Sequence, residues 1–506
     1  MWIAEAHGCR AGRGRCAVLG AVLGAVSILS TACVGTPEVA GRAGASPSPQ
    51  QVWIPPAEAR PSAPVSEVAT PPAAEVPAAL ADEARHLTLV EVVDLALRNN
   101  PSTQASWLQS RSAAAAYGMQ RARLLPSISG SVSALTNKQV ANTVRFGGRR
   151  NQVSPGLDLS YLLFDVGGRS GARDAAKEGL FAAGFNHDAV LQNVVLQAEQ
   201  AYFGYMANRA LLSAQRASVA EAEASLESAQ HRHDVGLATI ADVLQARTAL
   251  SQARLAAETT EGTLQAAKAS LAVSMGLPAN LPFDVAAPAD STPVGRVSED
   301  VDSLILQAVR NRPDLAAAQA RARQARASAR ATRSQLFPSL SMTGNASRVF
   351  SDVEQFTGSS YSLVLSLQVP LFNGFSRQYA ARQAEATAGA ALAQARGVHQ
   401  QVIQQVFTAY YALQTATQRV HTSDDLLASA QQSEDVARGR YQEGVGTILD
   451  LLTAQKALAD ARAQQSQARW SWLLSLAQLA HDTGVLGTDG TANIAVSSDS
   501  TSTPRR

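Results

Sequence analysis

The amino-acid sequence predicts an α+β membrane protein built from two copies of one unit, in which long antiparallel coiled-coil helices are joined to strands of a β-barrel. Three observations predict it. Short motifs recur at a fixed offset, proline-free stretches carry a 3.5-residue apolar repeat, and segments between them alternate apolar and polar residues with a period of two. The chain has 506 residues with 43 Lys+Arg against 41 Asp+Glu, a balance that excludes the strongly basic face needed to bind nucleic acid. Hydrophobic residues reach 46% and aromatics only 5%, and Ala, Gln, Arg, Leu and Ser dominate long stretches, a bias toward extended helices. No uncharged apolar run approaches the roughly 18 residues of an ordinary transmembrane helix, which leaves a membrane barrel open.

Residues 1–33 read as an export signal. Arg10, Arg13 and Arg15 precede the short apolar core Ala17 to Leu29, and small residues lead to Cys33. The run resembles a bacterial lipoprotein signal, which makes Cys33 the candidate for lipidation; Ser30 stands three residues before the cysteine where leucine is usual, so a plain cleaved signal is the alternative. Cys9, Cys16 and Cys33 are the three cysteines, so the exported chain has no internal disulfide. Residues 34–85 form a Pro/Ala-rich arm without helical or strand periodicity. The first repeat spans 86–285, a linker 286–300, the second repeat 301–483, and a Ser/Thr/Gly-rich tail expected to be disordered spans 484–506.

The duplication is legible residue by residue. Leu97-Arg98-Asn99-Asn100-Pro101 matches Val309-Arg310-Asn311-Arg312-Pro313, and Leu124-Leu125-Pro126-Ser127 matches Leu336-Phe337-Pro338-Ser339, at an offset of 212. Leu163-Phe164-Asp165, Ala201-Tyr202-Phe203 and Thr239-Ile240-Ala241-Asp242 match Leu371-Phe372-Asn373, Ala409-Tyr410-Tyr411 and Thr447-Ile448-Leu449-Asp450 at an offset of 208. The first unit therefore has a longer loop between Ser127 and Leu163. Each unit reads as helix, two strands, long helix, tight turn, helix. Ser170 to Asp234 contains no proline, and at 1.5 Å per residue those 65 residues extend about 98 Å if wholly helical. Leu191, Val195, Ala198, Tyr202, Tyr205 and Leu212 follow a coiled-coil spacing, echoed by Ile403, Val406 and Tyr410.

In the strand segments, Leu157, Leu159, Tyr161 and Leu163 alternate with Asp158, Ser160 and Leu162, and Tyr361 to Val369 alternate likewise. One apolar and one polar face suits a barrel with lipid outside and a wet lumen; the alternative is the edge of a soluble sandwich. Four strands cannot close a barrel, so subunits must associate, and a trimer supplies twelve. The segment Asn137 to Ser154, with Lys138, Arg145, Arg149 and Arg150, reads as the basic exterior loop of the first hairpin.

With its paired Asn-Pro and Arg-Pro-Asp-Leu helix openings, Leu-Pro-Ser and Phe-Pro-Ser hairpin entries, and Val-Gly-Leu and Gly-Thr turns, the sequence resembles the TolC family of outer-membrane channel-tunnels over about residues 86–483. The resemblance implies a homotrimer whose twelve-stranded barrel sits in outer-membrane lipid and continues as a helical tunnel through the periplasm. It implies an exit duct partnered by a periplasmic adaptor (membrane fusion) protein and an inner-membrane transporter. Ala468-Arg469-Trp470-Ser471-Trp472 and the following helix resemble type I secretion members, including those exporting adenylate cyclase-haemolysin toxins, so secreted protein is the expected cargo. The alternatives are small-molecule efflux and, outside transport, an exported coiled-coil scaffold. The sequence has no HExxH, GxGxxG, P-loop or GxSxG, and His231 and His233 point about 200° apart on a helix; neither enzyme activity, cofactor nor metal is expected.

Functional residues are expected at the helix turns. Val235-Gly236-Leu237 and Gly444-Val445-Gly446 end the long helices; glycine there is first a helix cap, and the resemblance adds contact with the adaptor. Thr239 with Asp242 and Thr447 with Asp450 have capping-box spacing. The resemblance implies that Asp242 and Asp450 also ring the periplasmic gate, and that Tyr441 ties the closed tip by a bond toward the turn near Asp242. Gly446 and Thr453 stand where the family can carry an arginine link and a second aspartate.

Overall fold

The computed structural model describes residues 48, 50–54, 87–139, 148–279, 283–286, 296–297, 299–352, 354–487 and 496–497. Cys33 with the whole export signal, most of the arm and Arg145 lie outside the described residues, as do the side chains of Lys138 and Arg149. The element order is α1 (Leu89–Asn99), α2 (Pro101–Ala122), β1 (Ser127–Gln139), β2 (Gly148–Phe164), α3 (Gly168–Asp234), α4 (Ile240–Ser274), β3 (Arg296–Val297), α5 (Val301–Asn311), α6 (Pro313–Ser334), β4 (Ser339–Ser351), β5 (Gly358–Gln368), α7 (Ser376–Gln442), α8 (Ile448–Asp482) and β6 (Val496–Ser497). Equivalent helices have equal lengths, 67 residues for α3 and α7 and 35 for α4 and α8, so the four-residue difference between the units lies wholly in the hairpins.

Local sequence sets the breaks. Asn100 ends α1 and its side chain accepts the Ser102 N–H to start α2, with Pro101 at the first helical position, where a missing N–H costs nothing. Thr88 and Glu91 close a full capping box on α1. One expected opening helix per unit is thus two, split at the Asn-Pro and Arg-Pro pairs.

Strands β1, β2, β4 and β5 form one antiparallel sheet in that order. Its register aligns Leu157 with Ala346 and Tyr361, and Leu159 with Ile128, Gly344 and Leu363, on one face. The other face aligns Asp158 with Ser129, Asn345 and Ser362. Asp158 accepts hydrogen bonds from Ser131 Oγ at 3.2 Å and Asn345 Nδ2 at 2.8 Å, so the polar face is a connected network spanning three strands. Strand β1 extends to Gln139 and β2 begins at Gly148, which corrects the expected loop of 137–154: much of it is strand. Arg150 accordingly lies on β2, its guanidinium 3.8 Å from the Phe356 ring, and Asn151 donates to Asp352.

The helices make a single layer. Near the sheet α3 packs on α2 and α6, and α6 on α7; further away α3 packs on α4 and α8, and α8 on α7. Among the described residues, layer and sheet are each four elements wide, with β1 and β5 leaving unpaired edges. In α3 the expected seam is the core: Leu191, Val195, Ala198, Tyr202, Tyr205 and Leu212 are all buried. In α7 the buried stripe is Val402, Val406, Ala409 and Leu413, so Ile403 and Tyr410 are only half-buried and the expected seam is displaced by one residue at two positions. Leu304, Ala308 and Leu315 pack against that stripe and draw it toward α5 and α6. The Trp470-Ser471-Trp472 segment splits between two cores: Trp470 lies 6.2 Å from Phe203 in the first, while Trp472 is buried in the second and donates to Thr417 Oγ1 at 3.2 Å.

Two termini are better anchored than their composition suggests. The expected disordered tail contributes Leu486 to the first core, and β6 pairs antiparallel with β3, inside the expected linker. In the arm, Trp53 is buried between Phe181 and Phe185, and a Cβ at Gly184 would clash with the indole. Trp53 N–H donates to Asp188 at 2.7 Å, and His187 bridges Ser106 Oγ and the Gln51 carbonyl at 2.9 Å each.

Burial holds the Asp188 carboxyl well above the usual carboxylate range, only partly offset by the Trp53 N–H, and burial holds the His187 imidazole below its usual value. A raised carboxyl favours the docked arm at low pH, and that contribution is lost as pH rises through the raised value. Between the ordinary carboxylate range and that raised value the released population is expected to grow by up to about tenfold per pH unit, and to level off above it. Asp188→Asn keeps an acceptor for the Trp53 backbone N–H and is expected to abolish this pH-dependent release, read as protease sensitivity of the arm. An identical pH profile in the variant would rule the mechanism out.

Candidate functional site

The tips where α3 turns into α4 and α7 into α8 are two versions of one motif. Gly236 and Gly444 have φ of +77° and +78°, the left-handed region that disfavours side chains. Gly236 N–H donates to the His233 carbonyl at 2.9 Å and Leu237 N–H to the Arg232 carbonyl at 2.7 Å; Gly444 and Val445 repeat this to Tyr441 at 3.1 Å and Arg440 at 2.9 Å. Both are Schellman caps, which satisfy carbonyls that a helix end otherwise leaves open. The turned backbone holds Val235, Leu237 and Val445 outward, each about 70% exposed, with Ile240, Leu244 and Leu449 beside them. Exposed aliphatic side chains on a fixed turn form a surface suited to apolar contact rather than to chemistry.

The next residues start the return helices with full capping boxes. Asp242 N–H donates to Thr239 Oγ1 at 3.3 Å while Thr239 N–H returns a bond to Asp242 at 2.8 Å; Asp450 and Thr447 form the same pair at 3.2 Å both ways. The Thr447 hydroxyl and N–H hold the exposed Asp450 carboxyl below the usual range, with Arg440 adding to the effect. Asp450 is therefore a fixed negative charge at neutral pH. Asp242 is half-buried, close enough to the Tyr441 phenol to help burial raise its pKa.

Tyr441 corrects one expectation. Its ring is buried against Ile448 and Leu451, and its hydroxyl, also buried, has no hydrogen-bond partner among the described residues, so it makes no bond to the turn near Asp242. The link between the tips is Arg232, which no sequence pattern marked: it donates to the Tyr441 carbonyl at 2.9 Å and the Gln442 carbonyl at 3.3 Å, and its guanidinium lies 4.9 Å from the Tyr441 ring. Gly446 is also fixed by packing, since a Cβ there would stand 3.1 Å from that of Arg440. An arginine at 446 would crowd this turn.

Known proteins share sequence and fold with this chain. The family described as outer membrane efflux protein matches residues 92–277 and 304–485, one segment for each unit. Protein CyaE of Bordetella pertussis is 31% identical over 410 residues, covering 78% of this chain and 85% of that protein. Outer membrane protein OprJ of Pseudomonas aeruginosa is 27% identical over 415 residues, covering 78% and 85%. Among solved structures, a membrane protein from Pseudomonas aeruginosa has a TM-score of 0.72 at 26% identity, covering 78% of this chain and 93% of that one. The outer membrane protein VceC of Vibrio cholerae has a TM-score of 0.71 at 20% identity, covering 78% and 96%.

Proposed function

The chain belongs to the outer membrane efflux protein family of TolC-like channel-tunnels, an outer-membrane exit duct without enzymatic chemistry, and from that premise we propose that it carries secreted protein as the outermost part of a type I secretion system. The observation that supports a duct is the unfinished protomer: a four-stranded sheet with two open edges above a single layer of helices. Unpaired strand edges in lipid cost several kcal/mol per backbone group, and pairing β1 of one copy with β5 of the next removes them. Three copies close a twelve-stranded barrel whose lumen is the Asp158–Asn345 face, and the helical layer continues the passage into the periplasm.

Transport then needs no reaction at this chain. The partner transporter supplies the energy, and the duct supplies width, polarity and a connection. The apolar tips around Gly236 and Gly444 receive a periplasmic adaptor, while Asp242 and Asp450 from three copies ring the narrow entrance and favour cations. Asp450→Ala is expected to reduce the cation preference of channels in planar bilayers; unchanged reversal potentials would leave Asp450 with its capping role alone.

The protein cargo is supported by the Trp470-Ser471-Trp472 helix and by the 31% identity to Protein CyaE, against 27% to the toluene efflux pump outer membrane protein TtgC of Pseudomonas putida. The efflux reading rests on that second group. Deleting the gene and measuring both secreted protein and drug sensitivity separates them: loss of a secreted protein is expected, and a drug phenotype with normal secretion would replace the cargo assignment.

A further inference from the structure

The junction between barrel and helices carries a feature that passage of cargo does not use. A cleft of about 340 Å³ lies where the β2–α3 and α6–β4 connections run side by side. Val166 and Phe337 rim it next to the barrel, and Arg330 and Arg333 line it on the helical side. Both rim side chains are exposed, 41% for Val166 and 46% for Phe337, so the cleft is apolar toward the membrane; away from it Arg330 and Arg333 outnumber the one lining carboxylate, Asp174, and leave it net cationic.

The arginines are only loosely neutralised. Arg330 stands 3.9 Å from Asp174, whose other oxygen is taken by Arg173 at 2.7 Å, and Arg333 stands 3.9 Å from Glu385. Both arginine side chains remain about 70% exposed, leaving N–H groups turned to solvent. Arg326, one turn further along α6, extends the same exposed stripe, since positions 326, 330 and 333 share a helix face. Arg169 lies over the Tyr161 ring, which aligns with Met342 and Leu365 on the apolar face of the sheet. The α3 start is thereby tied to the lipid side of the barrel. Phe372, Phe375 and Tyr379, all exposed, add aromatic side chains at the same level of the second unit, as expected where a barrel meets the headgroup layer.

We propose that this cleft binds the phosphate of an anionic phospholipid in the periplasm-facing leaflet of the outer membrane, with Arg330 and Arg333 on the headgroup and Val166 and Phe337 against the first carbons of its chains. Two guanidinium groups match a phosphodiester, and the apolar rim adds affinity for a ligand that also carries acyl chains. The proposal rests on the barrel reading above, and the test reads assembly separately from lipid.

The intact oligomer, released in a neutral detergent, is examined by native mass spectrometry with added phosphatidylglycerol, phosphatidylcholine or inorganic phosphate. Wild type is expected to retain phosphatidylglycerol over phosphatidylcholine, up to one per protomer, with no displacement by inorganic phosphate. Arg330→Gln with Arg333→Gln is expected to keep the oligomer and weaken phosphatidylglycerol retention by about tenfold or more. Equal retention of both lipids by wild type, full retention by the variant, or displacement by phosphate would each overturn the site. Absence of any oligomer in wild type would instead overturn the barrel reading.

Discussion

Gly444→Val is expected to reduce export to background while the oligomer stays assembled in the outer membrane. Position 444 has a φ of +78°, where a β-branched residue is strained by about 1–2 kcal/mol. Moving it back to a negative φ breaks the two capping bonds to Tyr441 and Arg440. A Cβ there also meets Arg232 Nη2 at 3.3 Å, so the change presses on the link between the tips. All of this is local to the end of a 67-residue helix whose main core lies at Val402 to Val420. Gly444→Asn is the matched control, because asparagine tolerates the left-handed region and should retain export. Quantifying oligomer and secreted product in the two variants checks the assignment. Loss of the oligomer in Gly444→Val would reduce position 444 to a cap.

The second large effect separates the faces of the sheet at adjacent residues. Leu363 sits in mid-strand on the apolar face opposite Gly344, and Ser362 on the polar face opposite Asn345. Arginine at a lipid-facing position near the bilayer midplane costs about 2–4 kcal/mol per protomer, whereas a luminal arginine is solvated. Leu363→Arg is therefore expected to remove the heat-modifiable oligomer from the outer-membrane fraction. Ser362→Arg should assemble and shift ion preference toward anions. The reverse pattern would place the lumen on the other side of the sheet and with it every residue assigned to the passage.

Much of this fold was legible because duplication tests each reading twice. A proline, a glycine turn or an alternating strand is weak evidence once, but a matched pair at one offset fixes both copies. The tip glycines and the capping boxes could be read for the same reason, since their chemistry is local. Tyr441 and Arg232 could not. Whether a phenol finds a partner depends on what packs over it, and Arg232 acts through backbone carbonyls that leave no pattern in side-chain sequence. The first hairpin was misread at its outer end because luminal strand residues are as polar as a loop, so composition does not show where β1 and β2 stop. Trp53 was missed because its slot is created by Gly184, 131 positions away in the chain.

Equal helices also constrain how this protein can change over generations. α3 and α7 have the same length, as do α4 and α8, so the two tips of a protomer stand level. Inserting one heptad into α3 alone would offset its tip from that of α7 by about 10 Å and pull Arg232 away from the carbonyls it holds. Heritable changes in reach must then occur in both halves together, through paired events that are far rarer than single ones. The hairpin ends carry no such restraint, and the four-residue difference between the halves lies there. The helical stem acts as a ruler locked by its own symmetry, and the hairpin ends are where length can change without moving either tip.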